Sequence, residues 1–122
     1  MIIFVGHSYQ NYTAPERYIP HYRSLEREYP VSFCFAHDEL GGEHLLGDIR
    51  SLVSNAAACI FDFTGQSRNV MIEYGMAVAL GKPHMLLLRM GDADPVPAML
   101  EGLRYQEYWF ASRLQEHLRG FL

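Results

Sequence analysis

Two carboxylates, Asp62 and Glu73, flank the short polar stretch Thr64-Gly65-Gln66-Ser67-Arg68. Asp62-Phe63-Thr64-Gly65 closes an apolar run, and Asn69-Val70-Met71-Ile72-Glu73-Tyr74-Gly75 has the spacing of a helix opening. A strand followed by a helix brings Asp62, Thr64, Asn69 and Glu73 to one crevice. A free carboxylate there can attack an anomeric carbon, or stabilise the positive charge that grows as an N-glycosidic bond breaks. Glu73 is expected one turn into its helix, where the amino-terminal dipole favours the ionised form. Asp62 suits holding a ribose hydroxyl or orienting Glu73. Spacing alone leaves open the plainer reading, in which Glu73 is an ordinary first-turn acid.

A second group follows the first apolar run. Gly6-His7-Ser8-Tyr9 stands between a strand and a helix, so its backbone N–H groups can cradle a phosphate or a ribose, with His7 as a further donor. The alternative is a glycine required only by a tight turn. Tyr108, Trp109 and Phe110 can stack on a base, but aromatics at the start of a terminal helix more often serve as core or interface. Lys82 reads as a helix-end charge, and Met71, Met76, Met85 and Met90 as core filler. No metal spacing such as C-x-x-C or H-E-x-x-H occurs, and the histidines are scattered, so no metal is expected.

These residues need elements to position them. Ile2 to Val5, Val31 to Phe35, Ala58 to Phe63 and His84 to Arg89 are continuous apolar runs of the kind buried on both faces of a sheet, the first expected at its centre. An edge strand is expected near Tyr105 to Trp109. Between the strands lie helical patterns. One starts from the Thr13-Ala14-Pro15-Glu16 capping box and carries Tyr18, Tyr22, Leu25 and Tyr29, either unbroken or restarted at Pro20. Another spans residues 43 to 57, and a third runs from an Asn69 cap to about Leu80, stopped by Gly81 and Pro83. A short helix around Ala98 to Gly102 and a final one with Phe110, Leu114, Leu118 and Phe121 on one face complete the chain. Five alternating units imply a flavodoxin-like α/β three-layer sandwich: a five-stranded, mainly parallel sheet with helices on both faces. Ligands of such sheets bind at the carboxyl ends of the strands. Gly6 to Tyr12, Ala36 to Gly42, Asp62 to Asn69 and Arg89 to Pro95 fall there.

Composition sets outer bounds. At 122 residues, with 49% apolar and 20% charged residues, the chain is read as one globular domain over 1–122. A net charge of −4 without clustered Lys and Arg argues against a nucleic-acid surface. Cys34 and Cys59 lie in apolar runs and read as buried free thiols of a reducing compartment. With no membrane-length apolar run and no leader, the expectation is cytoplasmic.

The string IFDFTGQSRNVMIEYGMAVALGKPHMLLL resembles the signature D-x-T-G-x-x-x-N-V-x-x-E-x-G-x-A-x-A-x-G-K-P of nucleoside 2-deoxyribosyltransferase-like and TIR-like proteins. Upstream, Asp38-Glu39, Gly42 and Asp48-Ile49 resemble the loop and helix of bacterial TIR-like domains. In both families the helix glutamate is the catalytic carboxylate, and the motif carries that role to Glu73. With Asp62 beside it, the substrate contacts fall on Gly6, His7, Ser8, Tyr9, Asp38, Thr64, Gly65 and Asn69. Two departures stand out: Ser67-Arg68 replaces a common Asn-Pro, and Phe4-Val5-Gly6-His7-Ser8 is closer to a TIR opening than to the Gly-Pro start of many transferases. The resemblance implies an N-glycosidase that uses Glu73 to cleave NAD or a related nucleotide as its substrate, by hydrolysis or with cyclisation of the product, and with no cofactor. It also implies a homo-oligomer and a place in bacterial antiphage defence beside a partner protein. Two alternatives stay open: a nucleoside 2-deoxyribosyltransferase or nucleoside monophosphate glycosidase, and a non-catalytic nucleotide-binding or assembly module.

Overall fold

A computed structural model describes residues 1–7, 18–35, 46–64, 68–90 and 102–122. Among them lie five strands, β1 (Ile2–Gly6), β2 (Ser32–Phe35), β3 (Ala58–Asp62), β4 (His84–Arg89) and β5 (Gln106–Tyr108). Four helices accompany them: α1 (Ile19–Leu25), α2 (Leu46–Asn55), α3 (Arg68–Ala79) and α4 (Ala111–Phe121). The strands form one sheet in the order β2-β1-β3-β4-β5, and every neighbouring pair is parallel. This is the α/β three-layer fold expected from the alternation. The middle strand is β3, however, and β1 lies one place in from the β2 edge.

Strand side chains alternate between the two helical layers, because successive residues of a strand point to opposite faces. Phe4, Cys59, Phe61, Phe63, Leu86 and Leu88 pack with Ile49 and Val53 of α2 and with Val70 and Ala77 of α3. Ile3, Val5, Phe33, Phe35, Ile60, Leu87 and Tyr108 pack on the other side with Tyr22 and Leu25 of α1 and with Leu114 and Leu118 of α4. Both faces are thus covered, which is why the strands read as unbroken apolar runs rather than as alternating ones. The four methionines serve as partly buried filler, Met71, Met76 and Met90 on the first side and Met85 on the second. Neither Cys34 nor Cys59 is in a disulfide, and Cys59 is fully buried while Cys34 is only half-buried.

Local chemistry sets the element ends. Pro20 sits in the first turn of α1, where a missing N–H costs nothing. At the end of α3, Lys82 N donates to Ala77 O at 2.9 Å and Gly81 N to Val78 O at 3.0 Å. That Schellman pattern puts Gly81 in the left-handed region, at φ 68°. The Lys82 ammonium then reaches the neighbouring helix, donating to Ser54 O at 2.7 Å and Ala56 O at 2.8 Å at the carboxyl end of α2. On the β2 edge, Glu26 Oε2 accepts from Phe33 N and Arg23 donates to Phe33 O, so side chains occupy backbone groups that another strand would otherwise seek.

Two expectations need correction here. Helix α3 begins at Arg68, so Asn69 lies within its first turn and does not cap it. Phe110 precedes α4 and is 73% exposed, because the apolar stripe of that helix is centred on Leu114 and Leu118 and the extended backbone at 110 points its side chain away. The Thr13 capping box and residues 98 to 101 lie outside the described residues.

Candidate active site

In the order β2-β1-β3-β4-β5, the chain leaves β1 toward one edge and returns to build the other, so the switch point lies between the carboxyl ends of β1 and β3. There Gly6 pairs with Phe61, one residue before Asp62. His7, Asp62, Thr64 and Glu73 are all buried polar residues of this end of the sheet.

Glu73 comes from α3, over the face that Phe4 and Phe61 line, and only 2% of it is exposed. A β-carbon built on Gly6 would collide with Glu73 Oε2 and stand 2.9 Å from Phe61 Cδ1. Gly6 is therefore needed for a close approach rather than for a turn, and its φ is not positive. Glu73 Oε2 has no hydrogen-bond partner among the described residues. Burial pushes the Glu73 carboxyl up to about 8. The expected help from the helix dipole is thus outweighed. Glu73 stands well past the first turn of α3, beyond the range over which the dipole acts, while desolvation penalises the charged form in full.

Asp62 faces the opposite layer. Its Oδ1 accepts from Thr64 N at 3.0 Å and its Oδ2 from the Tyr108 hydroxyl at 2.5 Å. Thr64 Oγ1 in turn accepts from Arg89 N at 2.8 Å, which joins the ends of β3 and β4. Burial raises the Asp62 carboxyl above its usual range, opposed by the Thr64 and Tyr108 donors and by the attraction of His7. The His7 ring lies edge-on to Phe35, with centroids 5.5 Å apart, on this same side. Thr64 and Tyr108, which hold Asp62, thus lie in its own layer, on the side away from Glu73. The expected orienting contact between the two carboxylates is absent among the described residues, because they approach the carboxyl end of the sheet from opposite faces.

Asn69 is exposed, apart from this buried group. Ser8, Tyr9, Asp38 and Gly65 lie outside the described residues. Tyr108 is the residue the site contains that sequence reasoning assigned elsewhere. The sequence offers it as a base-stacking residue or, more often for its place, as core or interface; its ring is core, and its hydroxyl donates to Asp62. A polar tip at the end of a buried strand was the available signal. Trp109 and Phe110, its neighbours, are exposed and face away from the group. A hollow of about 500 Å3 opens at the other end of the sheet, against His84, Arg104, Gln106 and His117, and includes none of the expected site residues.

No protein-family model matches the sequence, and no curated protein matches it. Solved structures do match in fold. A 2-deoxyribosyltransferase from the psychrotolerant bacterium Bacillus psychrosaccharolyticus superposes with a TM-score of 0.65 at 12% identity, over 94% of this chain and 90% of that one. The CMP N-glycosidase BcmB of Clostridium botulinum superposes with a TM-score of 0.68 at 17% identity, over 98% of this chain and 99% of that one. The chain has the nucleoside 2-deoxyribosyltransferase-like fold. Each neighbour is matched over nearly its whole length, so the likeness is one of the whole fold. No described helix is long and apolar enough to cross a membrane.

Proposed function

We propose that the chain cleaves the N-glycosidic bond of a nucleoside or nucleoside monophosphate, with Glu73 as the group that meets the anomeric carbon. The observation that carries this reading is the Glu73 carboxylate: buried against Gly6 at the switch point, with one oxygen that no described side chain or backbone group engages. A carboxylate in that state is costly to keep, and structural needs of the fold do not explain it. Both fold neighbours act, by name, on N-glycosidic substrates, a deoxyribosyl transfer in one and CMP in the other.

The chemistry follows from the position. Ionised Glu73 gives an electron pair to the anomeric carbon; the bond from that carbon to the base nitrogen breaks, and the base leaves with the bonding pair and takes up a proton. Water, or the nitrogen of another base, then attacks the same carbon and frees the carboxylate. The dry surroundings strengthen every electrostatic contact with the developing cation. Asp62, held by Thr64 and Tyr108, is the group to hold a ribose hydroxyl, and His7 a donor to substrate. The reading assigns no cofactor, and the chain works on a small molecule.

A second reading, cleavage of NAD, is favoured by the Phe4-Val5-Gly6-His7-Ser8 opening and its likeness to TIR-like domains. With it would come self-association, a defence partner and a cytoplasmic setting. One experiment separates the readings. Purified protein is incubated with deoxynucleosides, nucleoside monophosphates, NAD and NADP, and base release is followed by chromatography beside Glu73→Gln. Release from nucleosides or their monophosphates that the variant abolishes supports the first reading. Nicotinamide release that the variant abolishes supports the second. A chain that turns over none of them, even at high concentration, is a binding or assembly module.

A further inference from the structure

The fully buried Tyr108 is the last residue of the edge strand β5, and Asp62 the last of the middle strand β3, with β4 between them. Tyr108 is held in register by Arg89 of β4 and by Met90 N, which donates to Tyr108 O at 2.7 Å. Its ring packs edge-on against Tyr18, with centroids 5.4 Å apart. From that seat the side chain passes over β4 and its hydroxyl reaches Asp62 Oδ2 at 2.5 Å. A phenylalanine would fill the same apolar volume without burying a hydroxyl. The hydroxyl therefore answers to Asp62 and not to packing.

We propose that Tyr108 is a positioning residue of the glycosidic site, its hydroxyl fixing the Asp62 carboxylate in the orientation from which Asp62 meets substrate. This rests on the proposed N-glycosidic function. Tyr108 takes Oδ2 and Thr64 N takes Oδ1, with the Thr64 side chain also bonded to the carboxylate, which stops its rotation and leaves the lone pairs still unused for a substrate hydroxyl or for His7. Burial and the neighbouring Asp62 both push the phenol toward keeping its proton, so Tyr108 is a donor throughout the working pH range. A donor aimed at a carboxylate favours its ionised form, so losing the hydroxyl makes Asp62 harder to ionise.

The test is a double-mutant cycle of Tyr108→Phe and Asp62→Asn, read as kcat/KM for base release, with a 13C titration of the Asp62 carboxyl in wild type and Tyr108→Phe. Tyr108→Phe is expected to lower kcat/KM by about ten- to a hundredfold, the range set by a hydrogen bond to a charged group. The double variant is expected to match Asp62→Asn alone, because Tyr108 acts only through Asp62. The Asp62 carboxyl is expected to titrate at higher pH in Tyr108→Phe. Losses that multiply independently, or an unmoved titration, overturn the inference. So does an unimpaired Tyr108→Phe beside an inactive Glu73→Gln, which leaves the glycosidic reading standing. A wild-type chain that releases no base from any substrate overturns that reading and the inference with it.

Discussion

The Glu73 carboxylate occupies the space that a β-carbon on Gly6 would take. One residue supplies the carboxylate and the other supplies its room, from elements far apart in the chain. Gly6→Ala must therefore move something. The carboxylate is the flexible end of a side chain, while the Phe61 ring is locked in the core, so Glu73 is what yields. We expect a loss of base release of at least about a hundredfold, as misplacement by 1 Å can cause. The accompanying loss of stability should be only about 1–3 kcal/mol, as for a modest overpacking. Activity assays beside urea denaturation check this, and a variant that loses stability but keeps full turnover contradicts it.

The pH dependence of turnover follows from the same carboxyl. A carboxyl held up to about 8 is mostly protonated at neutral pH, and the proposed attack needs the ionised form. Below about 8, kcat/KM should rise roughly tenfold per pH unit and then level off. A pH–rate profile that is flat between about pH 6 and 8 would exclude ionised Glu73 of the free enzyme as the working species.

Stability should run in the opposite direction to activity. Below pH 4.5 Glu73 carries its proton folded or unfolded and pH has no effect through this group. Between 4.5 and about 8 the unfolded chain releases the proton while the folded chain keeps it, so stability falls as pH rises. Above about 8 the full cost is present, about 5 kcal/mol as an upper bound at about 1.4 kcal/mol per pH unit. Glu73→Gln carries no such charge. Its Tm should match wild type near about pH 4.5 and exceed it increasingly toward about pH 8.5, while base release is lost. A Tm difference that does not grow with pH would mean that Glu73 is not held in a dry site.

Away from the site, Lys82→Met removes two hydrogen bonds to carbonyls at the end of α2, Ser54 O and Ala56 O. The expected cost is about 1–2 kcal/mol in thermal unfolding, from two bonds of ordinary strength, with kcat/KM unchanged. Gly81→Ala should cost about 1–2 kcal/mol, because a side chain is disfavoured at φ 68°.

Much of this architecture was legible in the residues. The β4 run from His84 to Arg89 has the bounds of the strand, and Ala58 to Asp62 was read within one residue, because strands buried on both faces are unbroken apolar runs ending in polar ones. Gly81 marked the end of α3 for the backbone reason given above. What could not be read was the layer to which each polar group belongs. Asp62 and Glu73 are close in sequence and both lie at the carboxyl end of the sheet, yet a strand residue and a helix residue reach it from different faces. The partner of Asp62 lies 46 positions away, where nothing local distinguishes the Tyr108 hydroxyl from that of any core tyrosine. The sequence offers Gly6 as part of a phosphate or ribose cradle or as a tight-turn glycine, and close approach by another segment leaves no trace in neighbouring residues. The helix dipole was given more weight at Glu73 than its depth in α3 allows.

The bond that crosses β4 also bears on how the molecule breathes. Edge strands with three residues ordinarily fray, and with them the helix that follows. Here, opening of β5 would strip Asp62 Oδ2 of its donor and leave a buried carboxylate short of a partner, so detachment carries a penalty beyond the lost backbone pairs. The C-terminal strand and helix are thereby enrolled in the cooperative unit of the sheet interior. Amide protons of Gln106 to Tyr108 should exchange almost as slowly as those of β3, and in Tyr108→Phe the edge should be released to exchange on its own.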